Sequence, residues 1–276
     1  MPNFHCPVCF APLRREEQAL KCPAGHSYDV ARQGYVHLLQ PGRGGGGRHG
    51  DDRAMVLARR AFLDKGYYRP VLEAVLALAL PRLGGGDAVD VGCGEGWYTA
   101  GLAAAAAARG LPLSLAGVDI SREALKACAG RDRSLRLAVA SAAHLPLADE
   151  SCDLVLSLFS PPEWAEYRRV LKPGGTLLRA LPLEEHLWSL KAAVYARPYR
   201  NEPPPACPPG YRTLAVQDVR ETLRLDGGED IRNLFCMTPY WYKTGREDQA
   251  KLAALTALET ELAVRVEALE KIKIGE

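Results

Sequence analysis

The sequence predicts an α/β protein: a parallel sheet with helices on both faces, preceded by a small metal-stapled lobe. Three observations carry this expectation. Between residues 71 and 182, short apolar runs alternate with helical stretches, the pattern of a parallel sheet covered on both sides. The first run closes on D-V-G-C-G-E-G (Asp90–Gly96), a glycine turn at a strand's carboxyl end, where doubly wound sheets bind ligands. Three cysteines and a histidine lie at metal spacing between residues 6 and 26.

The elements follow in chain order. DDRAMVLARRAFLDKGYY carries apolar residues at helical spacing until Pro70, and VLEAVLALAL (71–80) reads as a second helix closed by Pro81 and Gly84–Gly86. AVDVGCG is a strand. A helix follows from about Tyr98 through the alanine run to Ala108. LSLAGVDIS (113–121) is a strand ending in an acid, and REALKACAG is a helix. LRLAVASAAHLPL and CDLVLSLFS each contain a strand, WAEYRRVLK is a helix stopped by KPGG, and TLLRALP is the fifth strand. Residues 183–276 read as a helix, a proline-rich loop (PPPACPP), mixed strands, and a charged terminal helix from about Arg246. GRGGGGRHG (42–50) reads as a flexible tether. The expected domains are therefore a zinc-binding lobe over 1–40, a linker over 41–52 and the large domain over 53–276.

At 276 residues, with 47% hydrophobic and 25% charged residues, the chain suits a soluble globular protein. No apolar run approaches a spanning helix, so no membrane partner is expected. Met1 leads directly into the first cysteines without a signal segment, and the eight cysteines do not form a disulfide scaffold. Both point to a reducing cytoplasm. The net charge of +2 does not by itself announce a nucleic-acid binder. The first 50 residues carry six Lys/Arg against three Asp/Glu, however, and Arg53, Arg59, Arg60, Lys65 and Arg69 follow, a balance that suits a phosphate-rich partner or ordinary solvation.

The glycine loop has a specific form. A dinucleotide fingerprint needs G-x-G-x-x-G, and Trp97 stands where its last glycine belongs. The pattern present, G-x-G-x-G, resembles the first motif of class I, Rossmann-like S-adenosylmethionine methyltransferases. Asp119 ends the second strand, where an ionised carboxylate can accept from both ribose hydroxyls. The Ala140–Ala143 loop follows the third strand, and LPLADESCDLVLS with VLKPGG completes the spacing. The expected cofactor residues are Asp90, Gly92, Gly94, Glu95, Gly96, Asp119 and Ala142. FSPPEW (159–164) approximates the Ser-Pro-Pro-aromatic motif of amino-methylating enzymes, but Glu163 takes the aromatic position and Trp164 comes one place late. Amino-methylation is therefore set aside.

Cys6, Cys9, Cys22 and His26 give C-x₂-C-x₁₂-C-x₃-H. Three thiolates and one imidazole close a tetrahedral Zn²⁺ shell without a water position, so one structural zinc per chain is expected. His5 adjoins Cys6 and cannot easily complete the same tetrahedron. A lobe this small cannot bury enough surface alone, and metal binding would supply its folding energy. As a separate module it should unfold on chelation while cofactor binding survives.

CPVCFAPL…CPAGHSYDVARQGYVHLL, ARRAFLDKGYYRP and VDVGCGEGWYT together resemble the bacterial 23S ribosomal RNA guanine-N1 methyltransferases with an N-terminal zinc finger. The resemblance covers residues 5 to about 195 and returns at CMTPYWYK (236–243). It implies methyl transfer to N1 of one guanine in a 23S rRNA hairpin loop, and a homodimer. It also implies that Tyr68 and His186 flank the cofactor. The family has two branches acting on neighbouring guanines, one associated with macrolide resistance, and ARRAFLDKGYY and GCGEGWYT resemble the other branch more.

N1 of guanine carries a proton that some group must remove. Glu163 and His186 are the candidate catalytic residues, with Glu184 and Glu185 as further acceptors. A base drawn out of its hairpin needs flat neighbours, for which Trp97, Trp164, Trp188, Tyr240 and Trp241 are candidates. Two other functions fit parts of the sequence. A small-molecule methyltransferase would share the glycine-loop core, although it would need no finger. A non-catalytic rRNA-binding or ribosome-assembly protein could keep a vestigial cofactor fold, although the intact loop argues against decay.

Overall fold

The computed structural model describes residues 4–40 and 50–273. The expected tether lies outside these residues except for Gly50–Asp52. The N-terminal lobe is a three-stranded antiparallel sheet, β1 (Arg14–Glu16), β2 (Ala19–Lys21) and β3 (Ser27–Asp29). The next strand, β4 (Tyr35–His37), leaves the lobe and pairs in parallel with β7 (Arg136–Val139) at the edge of the large sheet. Part of the segment expected to belong to a separate lobe is thus a strand of the catalytic-type domain.

The large sheet also contains β5 (Gly86–Val91), β6 (Leu113–Asp119), β8 (Cys152–Leu158), β9 (Leu171–Pro182), β10 (Tyr211–Leu225) and β11 (Leu258–Lys271). Its spatial order is β10-β11-β9-β8-β5-β6-β7-β4, parallel except for β11, which runs antiparallel to both neighbours. Strand order reverses between β5 and β8, so the crevice at their carboxyl ends is the natural ligand position.

Helices α1 (Arg53–Asp64), α2 (Arg69–Ala79), α3 (Trp97–Ala108) and α4 (Arg122–Ala129) cover one face. Helix α1 begins where the Asp52 carboxylate accepts from the Met55 amide at 2.9 Å, a cap that satisfies an otherwise unpaired donor. Its buried Met55, Val56, Phe62 and Leu63 recur at helical spacing.

The other face is covered differently. Residues 140–151, between β7 and β8, hold only a 3₁₀ turn at Ala142–His144 where a crossover helix could lie. Phe4, Cys6, Leu13 and Cys22 of the lobe pack there with Val89, Val91, Val118 and Val155, beside Tyr167 and Val170 of α5 (Trp164–Val170). The lobe thus acts as a layer of the fold.

One expected element is corrected. The helix at Arg246 ends at Ala254, and residues 258–271 form β11 in the middle of the antiparallel part of the sheet. LETELAVRVEALEK is rich in helix formers, but Leu262, Val264, Val266 and Ala268 are buried at strand spacing, and packing overrides propensity. The buried Arg179–Glu267 pair, 2.6 Å apart at directly opposed positions, fixes the β9–β11 register. Between β10 and β11 the chain makes an excursion at the carboxyl edge: α7 (Gly228–Cys236), α8 (Tyr240–Lys243) and α9 (Arg246–Ala254), following α6 (Trp188–Val194) after β9. Helix α7 packs on α1.

Candidate functional site

The glycine loop is built as the sequence implies. Gly92, Gly94 and Gly96 have φ of +76°, +56° and +86°, the left-handed region that favours glycine. A Cβ on Gly92 would meet Ser160 at 2.8 Å, and one on Gly96 would meet the Cys128 Sγ at 2.3 Å. The loop is therefore wedged between the turn after β8 and helix α4. Glu95 turns inward and pairs with Arg131, which also binds Asp64 at 2.8 Å. One carboxylate oxygen of Glu95 is held by Arg131, and the other is buried without a partner.

Asp119 accepts from the Gly94 amide at 2.8 Å and the Ser121 amide at 2.7 Å. Burial raises its carboxyl above the usual range, and these two amides oppose the shift. Asp90 ends β5 with 2% exposure, accepts from the Thr99 hydroxyl at 2.6 Å, and keeps its second oxygen without a partner. The buried Tyr98 hydroxyl also lacks one. Orphaned polar atoms are rare inside proteins, and these two lie beside the left-handed glycine turn at the carboxyl end of β5. The residues present therefore fit a polar cofactor such as S-adenosylmethionine.

Burial pushes Asp90 up to about 7, with Asp119 adding to the rise and Thr99 opposing it. The folded carboxyl holds its proton more tightly than the unfolded one. Its contribution to stability is full below the ordinary carboxyl value of 3.8 and is lost as pH rises through about 7. Asp90→Asn keeps an acceptor for Thr99 and removes the titration. The variant is expected to gain stability over wild type progressively from pH 5 to 7, reaching a few kcal/mol and then levelling. Urea unfolding across that range checks this, and a pH-independent difference would refute it.

Tyr68 and His186, which the resemblance implied to flank the cofactor from opposite sides, stand against each other. The Tyr68 hydroxyl lies 3.3 Å from Nε2 of His186, both side chains buried. The Ala263 amide donates to His186 Nδ1 at 3.2 Å, which leaves the ring proton on Nε2, donated to Tyr68. Burial, aided by Lys191, lowers His186 to about 3, so the ring is neutral at working pH and its one free lone pair is occupied. The segment carrying Tyr68 is clamped from α7, where Asp230 binds Lys65 at 2.5 Å and the Tyr67 hydroxyl at 2.8 Å.

Ala142 opens the 3₁₀ turn after β7, with Ser141 capping the Ala143 amide at 3.2 Å. Glu163 is half-buried at the N-cap of α5, on the loop after β8. Glu185 is engaged by Arg220 at 3.2 Å and Arg200 at 3.9 Å, while Glu184 is exposed.

The aromatic residues expected to hold a base pack instead against protein. Trp164 contacts Tyr167, Tyr211 and Arg179; Trp188 lies under Arg200; Tyr240 and Trp241 contact Phe235; Trp97 packs on Tyr98. The basic stretch is likewise partly consumed. Arg59 pairs with Asp51 and donates to the Met237 carbonyl at 2.9 Å, Arg60 lies 3.7 Å from Asp64, and Lys65 holds Asp230. Sequence reasoning did not place Arg59 beside the candidate site. Its guanidinium lies 3.5 Å from where a Gly94 Cβ would stand, over the cofactor loop. A count of charges cannot reveal this, because the partner Met237 is 178 residues away.

The metal cluster assembles from two turns. Phe10 donates its amide to the Cys6 carbonyl at 2.8 Å, and Gly25, at φ +85°, donates to that of Cys22 at 2.9 Å. The ligand atoms of Cys6, Cys9, Cys22 and His26 all lie within 4.8 Å of one another. The Cys9–Cys22 sulfurs are 3.6 Å apart, and His26 Nδ1 is 3.3 Å from the Cys22 sulfur and 3.5 Å from that of Cys6. Zinc bonded to sulfur and nitrogen at ordinary lengths needs tetrahedral edges of roughly 3.5–3.8 Å, so the donors fit Zn²⁺. The Tyr28 hydroxyl, 3.1 Å from the Cys6 sulfur, and the Val8 and Cys9 amides outweigh burial and lower Cys6 to about 6, favouring the thiolate a metal requires.

Fold and sites together define a class I methyltransferase carrying a zinc ribbon. A family model described as "Methyltransferase domain" matches residues 89–179, and one described as "RlmA, N-terminal" matches residues 4–41. The chain is 35% identical over 266 residues to the 23S rRNA (guanine(748)-N(1))-methyltransferase of Streptomyces fradiae, covering 92% of this chain and 91% of that protein. It is 39% identical over 211 residues, 69% of each chain, to a Micromonospora griseorubida protein assigned as a 23S rRNA (guanine-N(1)-)-methyltransferase. The chain belongs to the 23S rRNA (guanine-N1)-methyltransferase family. Among the described residues, no helix is long and apolar enough to cross a membrane.

Proposed function

We propose that the protein methylates N1 of a guanine in a 23S rRNA hairpin loop, acting in the cytoplasm. The observation that carries this reading is the union, in one chain, of the cofactor cradle and the ribbon packed against it, with matching relatives along nearly the whole length. The Streptomyces fradiae relative is named for guanine 748. We therefore take that guanine as the first position to examine, ahead of the neighbour that ARRAFLDKGYY and GCGEGWYT suggest.

S-adenosylmethionine, when bound, supplies a sulfonium methyl group for in-line displacement. The chain's own residues hold and orient. Backbone of Gly92–Gly96 admits the cofactor closely, and Asp119 accepts from ribose hydroxyls. Ala142 borders the adenine side, and Tyr68 with His186 walls the far side. Arg59, over Gly94, is placed to balance a carboxylate. His186 serves as a positioning group, since its Nδ1 is occupied and its ring neutral. Glu163 is the carboxylate we assign to accept the N1 proton, because it stands on the loop after β8 and no other partner engages it among the described residues. Cys6, Cys9, Cys22 and His26 hold the structural zinc.

The ribbon's exposed tip, Val8 and Phe10, with Arg169 5.1 Å from the Phe10 ring centre, supports an RNA-facing role. The large domain and ribbon remain our proposed functional division, joined through β4. A homodimer is part of the proposal, and the edge of β10, unpaired among the described residues and carrying exposed Leu214 and Val216, is the face we assign to it.

Incubating the purified protein with labelled S-adenosylmethionine and a transcript of the hairpin, then mapping by primer extension, tests the activity. Label and a stop at one loop guanine are expected. Label only in small-molecule extracts would favour a metabolite methyltransferase, and none at all a binding protein.

A further inference from the structure

Phe159 is unusual in three ways at once. It follows β8 directly at the carboxyl edge, and its backbone has a φ of +58°. For a bulky residue such a conformation persists only when the surroundings enforce it, and it concentrates at functional sites. The surroundings here do enforce it. The Phe159 amide donates to the Ala180 carbonyl at 3.0 Å, and the next residue's hydroxyl, on Ser160, donates to the Val91 carbonyl at 3.2 Å. Despite that anchoring the ring is 40% exposed, at the end of a strand whose preceding residues are buried.

What surrounds the ring is equally particular. Tyr68, Tyr98 and His186 stand 6.3, 6.2 and 6.5 Å away between ring centres. The turn it belongs to touches the cofactor loop, since Ser160 blocks the space beside Gly92. An exposed flat face is thus held, against backbone strain, beside the two residues assigned to the cofactor's far wall and next in sequence to Ser160, which fills the space beside Gly92.

We propose that Phe159 is the platform on which the extruded acceptor base stacks, setting N1 in line with the methyl donor. The inference rests on the reading of the chain as an rRNA guanine methyltransferase and names the part of the site that receives the base. The ring offers a π-face to the base, and its fixed backbone limits the rotation that would misalign the acceptor nitrogen. Stacking of one base on one aromatic ring corresponds to roughly a 5- to 100-fold effect.

The test uses full-length zinc-loaded protein and the hairpin transcript, with Phe159→Ala, Phe159→Leu and Phe159→Trp. For Phe159→Ala, kcat/KM for RNA is expected to fall about 10- to 100-fold. Phe159→Leu, apolar but not flat, should stay within a few-fold of Phe159→Ala, while Phe159→Trp should recover most of the loss. The dissociation constant for S-adenosylmethionine, measured without RNA by calorimetry, should change less than about threefold in all three. A cofactor constant that rises in step with the loss of rate would overturn the proposal by making the ring a cofactor contact. Full recovery by Phe159→Leu would reduce it to packing. If wild-type protein leaves the hairpin unmethylated, the functional reading itself fails and the proposal goes with it.

Discussion

Stripping the zinc is expected to lower the melting temperature of the whole chain by at least about 10 °C, to abolish methylation of the hairpin, and to weaken cofactor binding several-fold. A knuckle on a loose tether would behave otherwise, unfolding alone and leaving the large domain intact. The packing argues against that independence. Phe4, Cys6, Leu13 and Cys22 form one buried cluster with Val89, Val91 and Val118 of the central sheet, where the short connection from β7 to β8 supplies no helix. The His5 amide donates to the Pro146 carbonyl at 2.8 Å, and the Leu38 amide to that of Val139 at 2.8 Å.

Strands of three residues cannot hold this layer together without the metal. Losing it would return several apolar side chains to water at about 1.5–3 kcal/mol each. Even discounted for a compact unfolded state, that sum rivals the ~5–15 kcal/mol that stabilises a typical domain. Cofactor affinity should fall as well, because the Ser141–Pro146 loop, which we propose borders the adenine side, leans on the ribbon. Cys22→Ser should reproduce the effect of chelation. Calorimetry with and without chelator, together with zinc release measured by a colorimetric dye, decides the matter. An unchanged main transition after one equivalent of zinc has left would restore the separate module.

The sequence exposed most of the fold around the candidate cofactor cradle, for physical reasons that can be named. Strands β5 to β9 are buried runs of Val, Leu and Ala broken by glycine or proline, and periodicity reads them directly. Asp90, Gly92, Gly94, Gly96 and Asp119 are legible because a sharp turn and a strand-end acid demand particular residue types. Tyr68 and His186 came from resemblance alone, since 118 residues separate them and neither has a local signature.

Three features stayed hidden. Strand β4 is three residues of YVH, indistinguishable from a lobe's end until its partner β7 is known. Strand β11 carries helix-forming Leu, Ala and Glu, and only the vacancy between β9 and β10 makes it a strand. Phe159 escaped notice because an exposed aromatic after a strand is ordinary in sequence, whereas its left-handed backbone and its three aromatic neighbours exist only in the fold. The basic run at Arg53–Arg69 misled for a related reason: Arg59 and Lys65 are paired across the structure with Asp51 and Asp230, and charge counts do not show partners.

Asp119→Ala should raise the dissociation constant for S-adenosylmethionine by 100-fold or more while leaving zinc content and secondary structure unchanged. The carboxylate is assigned two tasks. It receives the Gly94 and Ser121 amides, fixing the cradle, and its remaining lone pairs face the place where ribose hydroxyls are proposed to lie. Hydrogen bonds to a charged group contribute about 1.5–3 kcal/mol each. Two lost together correspond to roughly 3–6 kcal/mol, or two to four powers of ten in affinity.

Asp119→Asn discriminates between charge and geometry. Its amide nitrogen would face either the Gly94 or the Ser121 N–H, setting donor against donor. It should therefore fail nearly as badly as Asp119→Ala, although it is almost isosteric. Asp119→Glu should recover part of the affinity, because a longer carboxylate can still accept from hydroxyls while losing its fit to the two amides. Equilibrium binding by calorimetry gives the ordering wild type, Glu, then Asn with Ala. An Asn variant that binds like wild type would show that Asp119 shapes the loop through one oxygen alone and does not hold the ribose.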